Sequence, residues 1–235
     1  MQRITRKRLL LAGIATALCA GLGAAAYAAA QSSLRRVFTA PPGLAEVPIP
    51  GFQHSYVRRD SDISTPRAVC VSTGELTFAG DWPRKSYGRQ ISAKELSKIR
   101  EDFNKAVRRE FEKAFRNQGG YSLASSDSTC ALRIVASVQD LYLNAPEVFS
   151  AATTKTYARS IGRLRMQVDV YDASGAVLLA RAHGSRSDPE KMQTMQSGEI
   201  LDESNRVTEI DNIGFAQDAA RRFAEYTRTR LLNRH

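Results

Sequence analysis

The chain has 235 residues, enough for one domain or two small ones, and 43% apolar with 25% charged residues is a globular composition that excludes a disordered chain. The formal net charge of +10 overstates its basicity, because Arg3, Arg6, Lys7 and Arg8 precede any acidic residue in a segment that reads as a signal. Without them the chain carries roughly +6, enough to favour anionic surfaces weakly but too little to argue for nucleic acid.

Arg3 to Arg8 form a basic n-region, and Leu9 to Ala26 is free of charge and rich in Leu, Ala and Gly. Ala26-Tyr27-Ala28 and Ala28-Ala29-Ala30 both match the small-x-small pattern of a signal peptidase site, so cleavage is expected after Ala28 or Ala30. The alternative is an uncleaved anchor, since about 18 apolar residues just span a bilayer. Lys7 breaks the arginine pair of a twin-arginine signal, which favours the ordinary secretory route. The domain plan is therefore a signal peptide over 1–28, an extended Pro-rich lead-in over 29–65 and a single α+β domain over 66–235. Exported chains meet oxidising conditions, so the two cysteines left after the signal, Cys70 and Cys130, suggest a disulfide. Two buried free thiols are the alternative.

Pro66 to Phe78 supplies a first strand centred on Ala68-Val69-Cys70-Val71, with a break at Gly74. A loop over Gly80 to Gln90 carries Trp82, Arg84, Lys85, Tyr87 and Arg89. Ser92-Ala93-Lys94-Glu95 is a capping box, and Leu96, Ile99, Phe103, Val107, Phe111, Ala114 and Phe115 share one helical face up to Gly119-Gly120. Strict alternation over Cys130 to Leu143 and Ile161 to Tyr171 predicts two half-buried strands. Asp172 to Gly175 is a hairpin turn, and Ala176 to His183 returns. A three-residue loop with a glycine bulge pairs Val170 with Leu178 and Val168 with Ala180, placing Arg181 beside Gln167 and His183 beside Arg165 on the solvent side. Gly184 to Asp211 is polar, with at most one short element. Asp211 or Asn212 caps a last helix with Phe215, Ala216, Ala219, Ala220, Phe223, Tyr226 and Leu231 on its apolar stripe. The expected fold is a two-layer sandwich in the order β-α-β-β-β-α, with two helices on one face of a mainly antiparallel sheet of about four strands.

Glu75-Leu76-Thr77-Phe78 ahead of the long helix, Leu132-Arg133-Ile134 through Asp140-Leu141 with Pro146 following, and Val168 to Leu178 as strand-turn-strand carry a resemblance. From about Val69 to the last helix the chain resembles a bacterial envelope family known as domain of unknown function 3313. Many members of that family look like lipoproteins. This chain departs from them at Leu18-Cys19, where lipidation normally needs a small residue before the cysteine. The resemblance implies an envelope location and brings no activity and no active-site residues.

His54, His183 and His235 are the only histidines, and none has the spacing of a metal set or a neighbouring nucleophile. No Gly-x-Ser-x-Gly elbow is present. No catalytic, cofactor-binding or metal-ligating residue is therefore named. The expected role is a non-enzymatic binding or accessory domain contacting another envelope protein, with an anionic lipid or glycan surface as a further partner class and nucleic acid excluded. The candidate contacts are the loop residues Trp82, Arg84, Lys85 and Tyr87, Phe149 in the segment Ala145 to Tyr157, and the arginines Arg163 and Arg165, whose face Arg133 and Arg181 join. For Trp82 the alternative is a residue that folds back to seal the core edge. Two rivals stand beside this role: a hydrolase or transferase whose carboxylates converge only in the fold, and a membrane-anchored spacer that keeps Leu9 to Ala26.

Overall fold

A computed structural model describes residues 40–61, 63–64, 67–82, 85–86, 89–116, 118–143, 156–157, 161–187, 206–207 and 209–233. The fold is that of the unit Pro41–His235, and the signal read at 1–28 lies outside the described residues. Among the described residues, no helix is long and apolar enough to cross a membrane.

The two alternating segments become the central strands, β7 (Leu132–Leu143) and β9 (Gly162–Asp172), paired antiparallel. Before them come β1 (Ala45–Glu46), β2 (His54–Val57), β3 (Ala68–Phe78), β4 (Lys85–Ser86), β5 (Arg89–Gln90), helix α1 (Ala93–Phe115) and β6 (Ser122–Leu123). The short pair β8 (Thr156–Tyr157) with β11 (Arg206–Val207), the strand β10 (Leu178–Ser187) and helix α2 (Glu209–Tyr226) complete the set. The main sheet has seven strands in the order β1-β2-β10-β9-β7-β3-β6, and β3 runs parallel to both β7 and β6.

The chain is α+β as expected, but the sheet of about four mainly antiparallel strands is overturned by a mixed sheet of seven. Two physical reasons account for the difference. A helical crossover such as α1 returns the chain to the end of the sheet it left, so the strands it joins, β3 and β7, lie parallel. Strands of two to four residues such as β1, β2 and β6 are too short to show a period, and only pairing defines them. Two of these fall in the segment read as a lead-in. Leu44, Ile49, Tyr56, Val57 and Ile63 are buried there, so the domain's core begins well before residue 66.

One face of the sheet is apolar across its central strands. Leu132, Ile134, Ala136 and Val138 of β7 line up with Leu164, Met166, Val168 and Val170 of β9 and with Ala180 and Ala182 of β10, all essentially inaccessible. Helix α1 lies against β3 and α2 against β9, and the two helices pack on each other. The capping box forms: Ser92 Oγ accepts from the Glu95 amide at 3.3 Å, and Glu95 Oε2 accepts from the Ser92 amide at 2.7 Å. The helix stops at Arg116 in extended backbone, earlier than the expected end at Gly119 and Gly120, whose positive φ values turn the chain after the helix has ended. Asp211 and Asn212 lie inside α2 rather than capping it, because the helix starts at Glu209. Ala216, Ala219, Ala220 and Ala224 are buried and keep α2 close to its neighbours. Gly184 serves the same end, since a Cβ there would sit 2.2 Å from the Phe223 ring.

The β9–β10 hairpin keeps the expected parity but not the expected register. Ala180 faces Val170, Ala182 faces Val168, Arg181 faces Asp169 and His183 faces Gln167, two residues away from the expected pairing. The turn is longer than a glycine-bulge loop: the Asp172 amide donates to the Val177 carbonyl at 3.0 Å, and the ladder then shifts between Leu178 and Ala180. The Asp172 carboxylate accepts from Ser174 Oγ at 2.8 Å and from the Val177 amide at 3.2 Å, which fixes the wider loop. An extra loop residue and a bulge together move the register by an even number, so every side chain stays on its predicted face.

Candidate functional site

The sheet's second face carries the alternate residues of the same strands, and these are polar. Registers place Ser137, Gln139, Arg165, Gln167, Asp169, Arg181 and His183 on it, with Tyr56 and His54 of β2 beyond Arg181 and His183. At its centre Arg181 forks onto Asp169, Nε to Oδ1 at 2.6 Å and Nη2 to Oδ2 at 2.8 Å. Gln139 donates to Gln167 at 3.1 Å, and Gln167 donates to Asp169 Oδ2 at 2.8 Å. Asp169 is only 5% exposed. The Asp169 hydrogen bond, against the opposing effect of burial, holds the Arg181 pKa above its ordinary value. Burial and then the Asp169 charge raise that of Tyr171.

This arrangement limits the chemistry. The oxygens of Asp169 already accept from a guanidinium fork and an amide, which stabilise the ionised form and make the carboxylate a weak general base. His183, expected on the solvent side, is 3% exposed, with its ring edge-on to Tyr56 of the adjacent strand β2 at 6.4 Å between centroids. Burial, and then the charge of Arg181, lower its pKa to about 4, so it is a neutral imidazole at neutral pH. Because β2 pairs alongside β10, His183 sits in the interior of the sheet next to His54, with Tyr56 one pair away, rather than on an edge strand.

The basic plane expected from Arg133, Arg163, Arg165 and Arg181 is not a plane of free cations. Arg163 holds Asp81 with 2.9 and 2.7 Å contacts and lies over the Tyr142 ring at 4.2 Å. Arg165 meets Asp140 at 2.9 Å, and Arg133 stands 3.7 Å from Asp127 while donating to the Ala173 and Asp127 carbonyls at 3.0 Å each. Each of the four faces its own aspartate. Asp140 is a residue the sequence did not single out. It has φ of 51°, the single positive φ outside glycine among the described residues, at a bulge where β7 shifts against both β9 and β3. Aspartate tolerates that region better than most residues, and the twist aims its carboxylate at Arg165.

Trp82 is core rather than contact. It is 4% exposed, stacks on Phe78 at 4.4 Å with 11° between planes, and donates its indole N–H to the Leu143 carbonyl at 3.0 Å. An aromatic this large is stable inside once its one donor is satisfied. Arg84, Tyr87 and Phe149 lie outside the described residues, and Lys85 is described only as backbone in β4.

Cys70 and Cys130 are joined as a disulfide, with Cα atoms 5.6 Å apart. Asp127 lies close enough to both sulfurs for the three to form a metal set. With the sulfurs bonded to each other, only the Asp127 carboxylate remains as a ligand. His54 Nδ1 stands 3.2 Å from Glu46 on the neighbouring strand.

No family model and no curated protein matches the chain. Two solved structures are similar to it across nearly their whole length. One is a PelC dodecamer from Paraburkholderia phytofirmans, 9% identical, covering 78% of this chain and 96% of that one with a TM-score of 0.33. The other is a DUF4136 family protein from Bacteroides thetaiotaomicron VPI-5482, 8% identical, covering 80% of this chain and 97% of that one with a TM-score of 0.25.

Proposed function

We propose that this chain is an exported, non-enzymatic binding domain of the bacterial envelope, a member of the domain of unknown function 3313 family, and that it contacts another envelope protein through the polar face of its sheet. The observation that carries the reading is that face itself: a hydrogen-bonded polar surface whose arginines are cancelled one by one by Asp169, Asp140, Asp81 and Asp127. Such a surface has no net Coulombic pull on a polyanion, but it offers directional donors and acceptors of the kind found around protein contacts. Its central acid is held by Arg181 and Gln167, and its histidine is buried and neutral, which argues against turnover there. The Cys70–Cys130 bond supports an oxidising compartment, in keeping with the signal-like first residues.

In-cell crosslinking tests this. A photoreactive residue at Ser185 on the polar face, and another at Phe149, should each capture one and the same envelope protein. The same probe at Lys105, on the exposed side of α1, should not. Equal capture from Ser185 and Lys105, or no capture from Ser185, would remove the proposal. Intact mass of the purified protein reads the cleavage after Ala28 or Ala30 in the same preparation.

A further inference from the structure

On the opposite side of the molecule, charge is distributed differently. Arg186, near the end of β10, pairs with Leu164 and so points to the helix side of the sheet. There it meets Asp218 of α2 at 3.2 Å. Arg221 and Arg222, one turn along the same helix, reach the same carboxylate at 2.6 and 3.0 Å. Three guanidinium groups thus converge on one carboxylate, and among the described residues no other acid pairs with any of them. Glu225 follows on the exposed side of α2 without joining the cluster.

We propose that the rim formed by Arg186, Arg221 and Arg222 is an anion-binding site for a phosphate group, with Asp218 as the internal anion with which that phosphate competes. The argument is one of charge, donors and access. One carboxylate neutralises one of three positive charges, so the cluster keeps a positive excess. Each guanidinium gives a single hydrogen bond to Asp218 and retains further N–H donors in a fixed plane. Guanidinium forks match the geometry of phosphate oxygens, and a dianion supplies the charge the cluster lacks. The Arg221 and Arg222 side chains are 61% and 47% exposed, so a ligand can reach them without any rearrangement of the fold. A network that served only to fasten α2 to β10 would need Arg186 and Asp218; Arg221 and Arg222 belong to the same helix as Asp218 and fasten nothing further.

The site does not depend on the polar sheet face, so each idea fails separately. The test measures binding of inorganic phosphate by calorimetry at fixed ionic strength. A second arm measures co-sedimentation of the purified protein with phosphatidylglycerol vesicles against phosphatidylcholine vesicles. Asp218→Asn removes the competing charge and should tighten phosphate binding about five-fold, whereas the double change Arg221→Gln with Arg222→Gln should weaken it about ten-fold or more. The parent and the double variant carry the discrimination: a purely structural network binds no phosphate in the parent, so there is no binding for Arg221→Gln with Arg222→Gln to weaken. If the double variant loses its fold, Arg222→Gln alone gives the same reading. Vesicle binding that follows the same order of variants identifies a lipid headgroup as the source, and binding confined to the inorganic arm identifies a soluble phosphate. Binding in neither arm, or an Asp218→Asn variant no tighter than the parent, overturns the proposal.

Discussion

On the polar sheet face Arg181 and Asp169 form a matched pair in a nearly closed environment, while on the α2 rim Arg186, Arg221 and Arg222 share Asp218 at the surface. The same two residue types do opposite work in the two places. Where burial is high, an uncompensated charge is costly, so the Arg181 guanidinium is matched by the Asp169 carboxylate and held in place. Where water is at hand, a surplus of charge costs little and remains available to a ligand. Counting arginines per face therefore says little about anion binding; the ratio of arginines to carboxylates and their depth say more.

The sharpest way to break this comparison is to remove one member of the buried pair. Asp169→Ala leaves a part-buried Arg181 with no counter-charge, and the expected loss is about 2–3 kcal/mol of unfolding free energy. Urea denaturation measures it. Replacing both partners by apolar residues of similar size, Asp169→Leu with Arg181→Met, should restore most of that loss. A double variant as unstable as the single one would mean that the pair holds the sheet in a way charge burial does not explain.

His183 probes the same layer by titration. Its folded pKa is about 4 against an ordinary 6.5, so between those values the unfolded chain binds a proton that the native one refuses. Stability then rises with pH across that interval and is lost as pH falls from about 6.5 towards 4, with an upper size of about 3 kcal/mol. The groups that set the shift besides burial are Arg181, Asp169, His54 and Arg165. A series of urea unfolding curves from pH 7.5 to 4.5 should show this slope, and His183→Leu should flatten it. A histidine variant with the parent's slope would show that other groups govern acid stability.

How much of this was legible beforehand follows from length scale. The faces of β7 and β9 could be read because alternation over a dozen residues is a strong signal, and the capping box at Ser92 and Glu95 is local chemistry. The strand–helix–strand order already implied that β3 and β7 run parallel, since a helical crossover permits little else. The strands of the lead-in were not available, because His54–Val57 becomes a strand only by lying on β10. Arg186 and Asp218 are 32 residues apart, and no local pattern ties them together. Trp82 was readable both ways, and the Leu143 carbonyl that accepts its N–H decided for the core.

Asp140 offers a smaller effect on the sheet face. Its left-handed backbone is strained for a residue with a Cβ, and glycine relieves that strain. Asp140→Gly and Asp140→Ala both lose the Arg165 contact, so their difference isolates the backbone. The alanine variant is expected to be about 1 kcal/mol less stable than the glycine one. Equal midpoints in parallel urea titrations would remove the strain.

The rim gives the smallest change in stability and for that reason tests the contrast best. Burial raises the pKa of Asp218, but the Arg221 hydrogen bond and the charges of Arg222 and Arg186 outweigh it and hold the carboxyl below its ordinary value. Its contribution is therefore present above the pKa of the unfolded chain and disappears as pH falls through the lower folded value. Asp218→Ala should cost about 1 kcal/mol or less at low salt, and salt should erase most of that, because partly exposed pairs are screened. Asp169→Ala should keep its full cost in the same salt series, because screening does not reach a carboxylate shielded from water. If the two variants respond to salt alike, depth is not what separates the two regions, and the excess charge on α2 has to be explained without it.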